Sequence, residues 1–476
     1  MNRTNAWRGY TKAQEKQLNN LAEGYIEFIN QCKTERECAA RAMQMAREAG
    51  YISLDEARER GTKLKAGDRV FTDIAGKSVI FFQIGKQPLE AGFNILGAHI
   101  DSPRLDIKQN PLFEAGDFAL LDTHYYGGIK KYQWVAMPLA LHGVVAKKDG
   151  SVINIVVGED PADPVLTITD LLPHLGAEQM KRDAARVVEG EDLDLLVGSR
   201  PLVVDDKAAK KAAEGSPEEL AAKEPMRAFL LDVLQKKYGF ESEEDFLSAE
   251  LEVVPAGPAR SAGLDNSMVL GYGQDDRVCA YTSLVAQLHA GKLDRTGICI
   301  LVDKEEIGSV GATGMTSLFF ENAVAEVMDL AGEGGDLPLR RALAASDMLS
   351  SDVSAAFDPT YATAFEEKNT AYFGRGLVFN KFTGSRGKSG SNDANAEYMA
   401  KLRAVMEKGK VAYQTAELGK VDLGGGGTIA YILAKYGMNV IDSGVAVLSM
   451  HSPWEVSSKA DIYEAYKGYE AFLKYC

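Results

Sequence analysis

The chain is short of cysteine, of positive charge and of long apolar runs, and each shortage removes a class of protein. Its five cysteines, Cys32, Cys38, Cys279, Cys299 and Cys476, are odd in number and include no Cys-x-x-Cys pair. They give no cysteine-based metal motif and imply reduced thiols in a reducing compartment. Cys299 lies in the apolar run Ile298–Val302 and reads as core. No stretch approaches the roughly 20 apolar residues needed to span a bilayer. The N-terminal stretch Met1–Arg8 lacks the apolar segment of a signal peptide. A cytoplasmic protein with no membrane partner is expected. The formal net charge is −15 and no basic stripe offsets it, which argues against a nucleic-acid partner. The glycine run Gly424–Gly427 is not followed by the Lys-Ser/Thr of a phosphate loop. It is expected to admit a substrate backbone or to turn tightly into a helix at Thr428. No internal repeat is visible.

What is present is an ordinary globular composition. With 476 residues, two or more domains are expected. Hydrophobic residues make up 46% and charged residues 25%, enough for a large core without staples. Residues 11–31 carry Leu18, Leu21, Tyr25, Phe28 and Ile29 at helical spacing, and residues 34–49 read as a second helix closed by Gly50. The period then changes. Ser78–Ile84, Phe93–Ala98, Gly297–Val302, Met348–Val353 and Val445–Met450 read as buried strands. Arg277–His289, Asp393–Lys408 and Thr428–Tyr436 read as helices between them. This alternation predicts an α/β fold, a mostly parallel sheet flanked by helices. Residues 106–260 break the alternation with β-rich stretches such as Trp134–Val145 and Ser151–Val157. They also hold a charged, exposed segment, Asp205–Glu224. The expected division is a catalytic domain over 1–105 and 261–476, with an inserted β-rich domain over 106–260. Pro255–Gly263 is the return linker.

Candidate chemistry gathers where strands end. His99 closes a strand and Asp101 follows on the same face, where a carboxylate can orient an imidazole for a metal. Glu305 and Glu306 follow the strand Gly297–Val302. Two adjacent buried glutamates need a partner such as a cation, one binding it while the other takes a proton. Asp275 and Asp276 open a helix, where an N-cap is the plainer role. Asp352 and His451 end further strand-like runs. In an open α/β sheet that edge is the ligand edge. Two His with several carboxylates suit zinc, manganese or cobalt, and two metals need a bridging carboxylate.

The segments His99-Ile-Asp-Ser-Pro-Arg, Asp275-Asp-Arg, Asp303-Lys-Glu-Glu-Ile-Gly-Ser, Ser351-Asp-Val, Gly426-Gly-Thr-Ile-Ala and Met450-His-Ser-Pro, in this order, resemble those of the aspartyl aminopeptidase-like dinuclear zinc metallopeptidases. The resemblance runs over nearly the whole chain. It implies a zinc-aminopeptidase-type α/β domain, an inserted oligomerisation domain, and a homo-oligomer, a dodecamer built from dimers. It further implies two divalent ions per subunit, zinc with manganese or cobalt as alternatives. Asp275 would bridge them, His99 and Asp352 would complete one site, and Glu306 and His451 the other. Glu305 would be the general base and Asp101 the orienter of His99. One departure is that eukaryotic relatives tend to carry Asp-Asn where this chain has Asp275-Asp276. His174, in a Pro-His-Leu segment of the inserted domain, would reach a partner subunit's active site. Arg375 stands where such enzymes carry a basic residue facing an acidic substrate side chain, with Lys381 and Arg386 nearby.

The expected activity is therefore removal of the N-terminal residue from peptide substrates, with acidic residues as candidate substrates. A related dinuclear carboxypeptidase or N-acyl amino acid amidohydrolase is the alternative within the same chemistry. A non-catalytic assembly or cargo protein of the same fold is the alternative outside it.

Overall fold

A computed structural model describes residues 4–205, 212–213 and 215–476, the side chains of Ser385 and Arg386 excepted. The first three residues of the N-terminal stretch lie outside the described residues. So do residues 206–211 and 214 of the charged segment; within its described part Pro217–Leu220 is a short helix.

Two compact units are present. The first comprises Met1–Ser102, Ala259–Met450 and Trp454–Cys476; the second comprises Pro103–Pro258 and His451–Pro453.

The first unit is built on a nine-stranded sheet. Its order is Ile52–Ser53, Arg69–Ile74, Ser78–Gln83, Thr296–Val302, Phe93–His99, Asp347–Ser350, Asn439–Gly444, Leu377–Asn380 and Tyr413–Ala416. The four central strands from Thr296–Val302 to Asn439–Gly444 run parallel. Ser78–Gln83 on one side and Leu377–Asn380 on the other pair antiparallel with them. Every residue of Phe93–His99 and Thr296–Val302 is buried, so these strands read as continuous apolar runs rather than alternating ones.

Successive side chains still go to opposite faces. Leu96, Leu301, Leu349 and Ile441 join one core, shared with Tyr25, Leu284 and Phe472. Ile95, Ile300, Met348 and Val440 join the other, shared with Phe320, Val327 and Leu433. The helices Lys12–Gln31, Gln274–His289 and Lys459–Tyr475 therefore cover one face. Phe319–Leu330, Asp336–Ala344 and Ala430–Ala434 cover the other. Thr11 with Gln14 and Thr34 with Glu37 close capping boxes at the first two helices, which begin as the sequence predicts.

Two sequence expectations change. The strand carrying Asp352 ends at Ser350. The run Val445–Met450 is not a strand of the large sheet; Ala446–Leu448 belongs to a separate five-stranded sheet. The central position is taken by Asn439–Gly444, and the chain leaves it at Gly444, where a Cβ would meet the Asp352 carbonyl oxygen at 1.9 Å. Asp275 and Asp276 both have non-helical backbone angles, so regular helix starts at Arg277, as the sequence predicts.

The second unit holds a six-stranded antiparallel sheet, ordered Val152–Val157, Leu139–Ala146, Ala249–Pro255, Arg104–Ala115, Phe118–Tyr126 and Leu195–Gly198. The helix Pro225–Tyr238 belongs to the same unit. Among the described residues no helix is long and apolar enough to cross a membrane.

Candidate metal centre

Register delivers the site. Val302 pairs with His99, so the chain leaving the strand at Asp303 emerges beside that histidine. On the other side Ser350 pairs with Gly97, which brings Asp352 to the same carboxyl edge. Asp275 and Asp276 arrive from the segment after Met268–Gly271. That segment is pinned from several directions. The Glu455 carboxylate accepts the amides of Gln274 at 2.6 Å and Asp275 at 3.1 Å. Ser102 Oγ donates to the Asp275 carbonyl at 2.7 Å. The buried Arg277 guanidinium donates to the Lys33 carbonyl at 2.8 Å.

His99 has two distinct sides. Its Nδ1 lies 3.0 Å from the Asp101 carbonyl oxygen and 3.3 Å from Asp101 Oδ1. Its Nε2 lies 3.2 Å from Asp275 Oδ1, 3.9 Å from Glu305 Oε2 and 4.0 Å from Asp352 Oδ1. The Asp101 carboxylate also accepts the amides of Glu305 and Glu306, each at 3.1 Å. One buried aspartate thus touches the histidine and holds the turn that carries both glutamates.

Ligand-type atoms of His99, Asp275 and Glu306 lie within 4.8 Å of one another, and so do those of His99, Asp276 and Asp352. The second trio is buried throughout. Burial pushes the Asp276 carboxyl well above the usual carboxylate range, and the charge of Asp352 adds to it. Burial likewise raises Asp352, with Glu305 and Asp275 adding and His99 opposing. For His99 burial acts downward, but the bonds to Asp101 and Asp275 and the charge of Glu305 outweigh it and hold the ring well above its ordinary value.

A divalent cation would relieve all three strains at once. Imidazole nitrogen with carboxylate oxygens is the donor set zinc, manganese and cobalt accept. The residues present therefore fit such an ion.

The remaining candidates do not belong to these two trios. His451 and His174 belong to the second unit. There His451 Nδ1 lies 2.9 Å from the Gly128 carbonyl oxygen, and His174 is exposed. Arg375 places its guanidinium 4.2 Å from the centroid of the Tyr372 ring. Its neighbours Gly374 and Gly376 donate amides to the buried Asp461 at 2.9 and 2.7 Å. Lys381 sits 3.4 Å from Asp393. The side chain of Arg386 lies outside the described ones.

Sequence reasoning passed over two residues. Asp276, which reads with Asp275 as an N-cap candidate, is fully buried and grouped with His99 and Asp352. The pairing of two acids before a helix was the available signal. Glu455 carried none, since a buried acid that serves backbone amides has no spacing signature.

A buried His–carboxylate cluster at the carboxyl edge of a parallel sheet is the centre of a metal-dependent hydrolase. The chain belongs to the aminopeptidase I zinc metalloprotease (M18) family, whose sequence profile matches residues 28–473. A probable M18 family aminopeptidase 1 of Clostridium acetobutylicum is 57% identical to it, over 98% of this chain and 97% of the relative. The crystal structure of an M18-family aminopeptidase from Thermotoga maritima matches with a TM-score of 0.92 at 40% identity, covering 100% of both chains. That of aminopeptidase I from Clostridium acetobutylicum matches with a TM-score of 0.89 at 55% identity, covering 100% of this chain and 99% of the other. The protein is an M18-family aminopeptidase, a hydrolase that removes N-terminal residues.

Proposed function

We propose that this aminopeptidase works with two divalent ions, zinc with manganese or cobalt as alternatives, and with Glu305 as general base. The observation that carries the reading is the two-sided His99, one nitrogen facing Asp101 and the other facing Asp275, Glu305 and Asp352. Asp101 fixes the tautomer, which leaves Nε2 as the donor atom. Asp275 would be the carboxylate shared by the two ions, and Asp352 would complete the site of His99. Asp276, buried against the same histidine, joins this set as a ligand or as its immediate support. Glu306 and His451 would hold the other ion. The Gly128 carbonyl engages His451 Nδ1, which supports Nε2 as its ligand atom.

When bound, the ions supply Lewis-acid polarisation of the scissile carbonyl and acidify the attacking water. Glu305 takes that water's proton at its carboxylate and passes it to the leaving amine. Its backbone is held on Asp101, so the carboxylate swings from a fixed amide. The cluster of carboxylates favours a free, protonated α-amine on the substrate, the mark of an exopeptidase. Metal analysis of the purified protein, followed by comparison of free and N-acetylated peptides, tests this reading. Equal cleavage of both peptides would overturn it.

The inserted unit is the oligomerisation domain in this reading, and the assembly is a dodecamer built from dimers in the cytoplasm. Support comes from Leu171, Leu172, Leu175 and Met180, exposed apolar side chains flanking His174. The five free cysteines agree with a reducing compartment. His174 then acts in the partner's site. His174→Ala is expected to lower activity without changing the mass of the assembly. Mixing it with Glu305→Gln subunits is expected to restore part of the activity, because a mixed pair builds one complete site. Absence of recovery in oligomers that have exchanged subunits would remove action in trans.

Arg375 is the proposed reader of an acidic substrate side chain. A guanidinium holds a carboxylate with two parallel hydrogen bonds. Stacking on Tyr372 and anchoring of its flanking amides support a preset orientation. Arg375→Ala is expected to cost about 1.5–3 kcal/mol of transition-state binding for N-terminal Asp and Glu, and little for Leu or Met. Equal losses in kcat/KM for acidic and apolar substrates would mean that Arg375 only supports its loop.

A further inference from the structure

The glutamates at the site sit on a short loop whose tip is exposed. Leaving the strand at Asp303, the chain takes positive φ at Lys304, Gly308 and Ser309 and returns at Gly314, which bridges back to Asp303. Ile307, Gly308, Val310, Gly311 and Ala312 are exposed. Apolar packing therefore cannot fix where Glu305 points. The two ends of the loop are instead tied by a closed set of side-chain bonds. Thr313 Oγ1 donates to Asp303 Oδ2 at 2.6 Å. Ser78 Oγ, on the adjacent strand, accepts the Asp303 amide at 2.9 Å and donates to the Thr313 carbonyl at 2.6 Å. Thr313, Ser78 and Asp303 are all buried. Nearer the tip the amides of Glu305 and Glu306 meet Asp101, the Ser309 amide donates to the Lys304 carbonyl at 2.6 Å, and the Ser309 carbonyl accepts from Thr316 Oγ1 at 2.6 Å.

We infer that Thr313 is a positioning residue for Glu305, acting through Asp303, and that the Thr313–Asp303–Ser78 clasp sets the aim of the base. The inference rests on the reading of Glu305 as the base. The physical case is one of leverage. A hydrogen bond to a buried carboxylate is stronger than one between neutral groups. It lies at the root of a loop of nine intervening residues, so a small loosening there becomes a larger displacement at Glu305. Misplacing a reacting group by about 1 Å can cost on the order of a hundredfold in rate. Threonine suits the position because its hydroxyl makes the bond. Valine keeps its shape and loses the donor, while serine keeps the donor and loses only a methyl group.

The test compares Thr313→Val and Thr313→Ser in the metal-replete enzyme, each also in a Glu305→Gln background. Metal content and thermal midpoint are measured on every variant. Thr313→Val is expected to lower kcat by roughly ten- to a hundredfold while KM stays within about twofold, because the clasp aims the base and does not bind substrate. Thr313→Ser is expected to return kcat to within about threefold of wild type. In the Glu305→Gln background Thr313→Val is expected to cost little further, since there is no base left to misaim. The inference is overturned if Thr313→Val keeps its kcat, if valine and serine lose equally, or if the full loss persists without Glu305. Should Glu305→Gln alone stay active, the assignment of the base fails and carries this inference with it. That outcome is distinct from an inactive Glu305→Gln beside a fully active Thr313→Val, which removes the clasp alone.

Discussion

Glu305→Gln is expected to keep the metal complement and the assembly while losing roughly two or more decades in kcat, the usual contribution of a general base. Glutamine matches the shape and cannot take a proton. The anchoring of position 305 runs through its amide to Asp101, so the substitution leaves that bond in place. Metal binding should survive because Glu306, not Glu305, lies in the trio with His99 and Asp275. His99 loses one of the charges that hold it above its ordinary value, but keeps Asp101 and Asp275. The measurement is kcat beside metal content in one preparation. Near-normal turnover by a metal-replete variant would sink the assignment. Loss of metal in step with activity would move Glu305 from base to ligand.

The large sheet was legible because its central strands are buried on both faces. Phe93–His99 and Thr296–Val302 are continuous apolar runs, and their ends point directly to His99 and to Asp303–Glu306. Asn439–Gly444 was not legible, although it lies beside Asp347–Ser350 in the same layer. It carries Asp442 and Ser443, both buried, which break the apolar run that marks a parallel strand. Val445–Met450 took its place in the reading because it is more apolar, yet its strand lies in the five-stranded sheet. The pair Asp275-Asp276 was legible only as two acids ahead of a helix. Which of them stands outside the regular helix is decided by backbone angles, not composition, and both do. Both aspartates are drawn into the site, as their separate trios show. Glu455 and Asp101 differ in the same instructive way. Asp101 announces itself two residues from a histidine, whereas Glu455 does its work from 180 residues away, on the Asp275 amide.

Removing the metal is expected to abolish activity and to lower the thermal midpoint, because the folded chain is built around charges that need a cation. Without one, Asp276 and Asp352 face each other in a buried setting that disfavours their ionised forms. A ligand held only by the folded state stabilises it by mass action, about 4 kcal/mol when free metal stands a thousandfold above its dissociation constant. The midpoint should therefore rise with metal concentration and fall with chelator, and zinc, manganese or cobalt should restore both stability and turnover. The stoichiometry of variants then tests the ligand set. Asp275→Asn should weaken both sites if that carboxylate bridges them, while His451→Ala should lose one ion and keep the other. His451 carries the sharper risk, since the fold groups it with Gly128 in the second unit. If His451→Ala holds a full metal complement, its ring serves the Gly128 carbonyl and not an ion. A chelated protein that melts where the loaded one does would mean that the carboxylates around His99 are neutralised by protons alone.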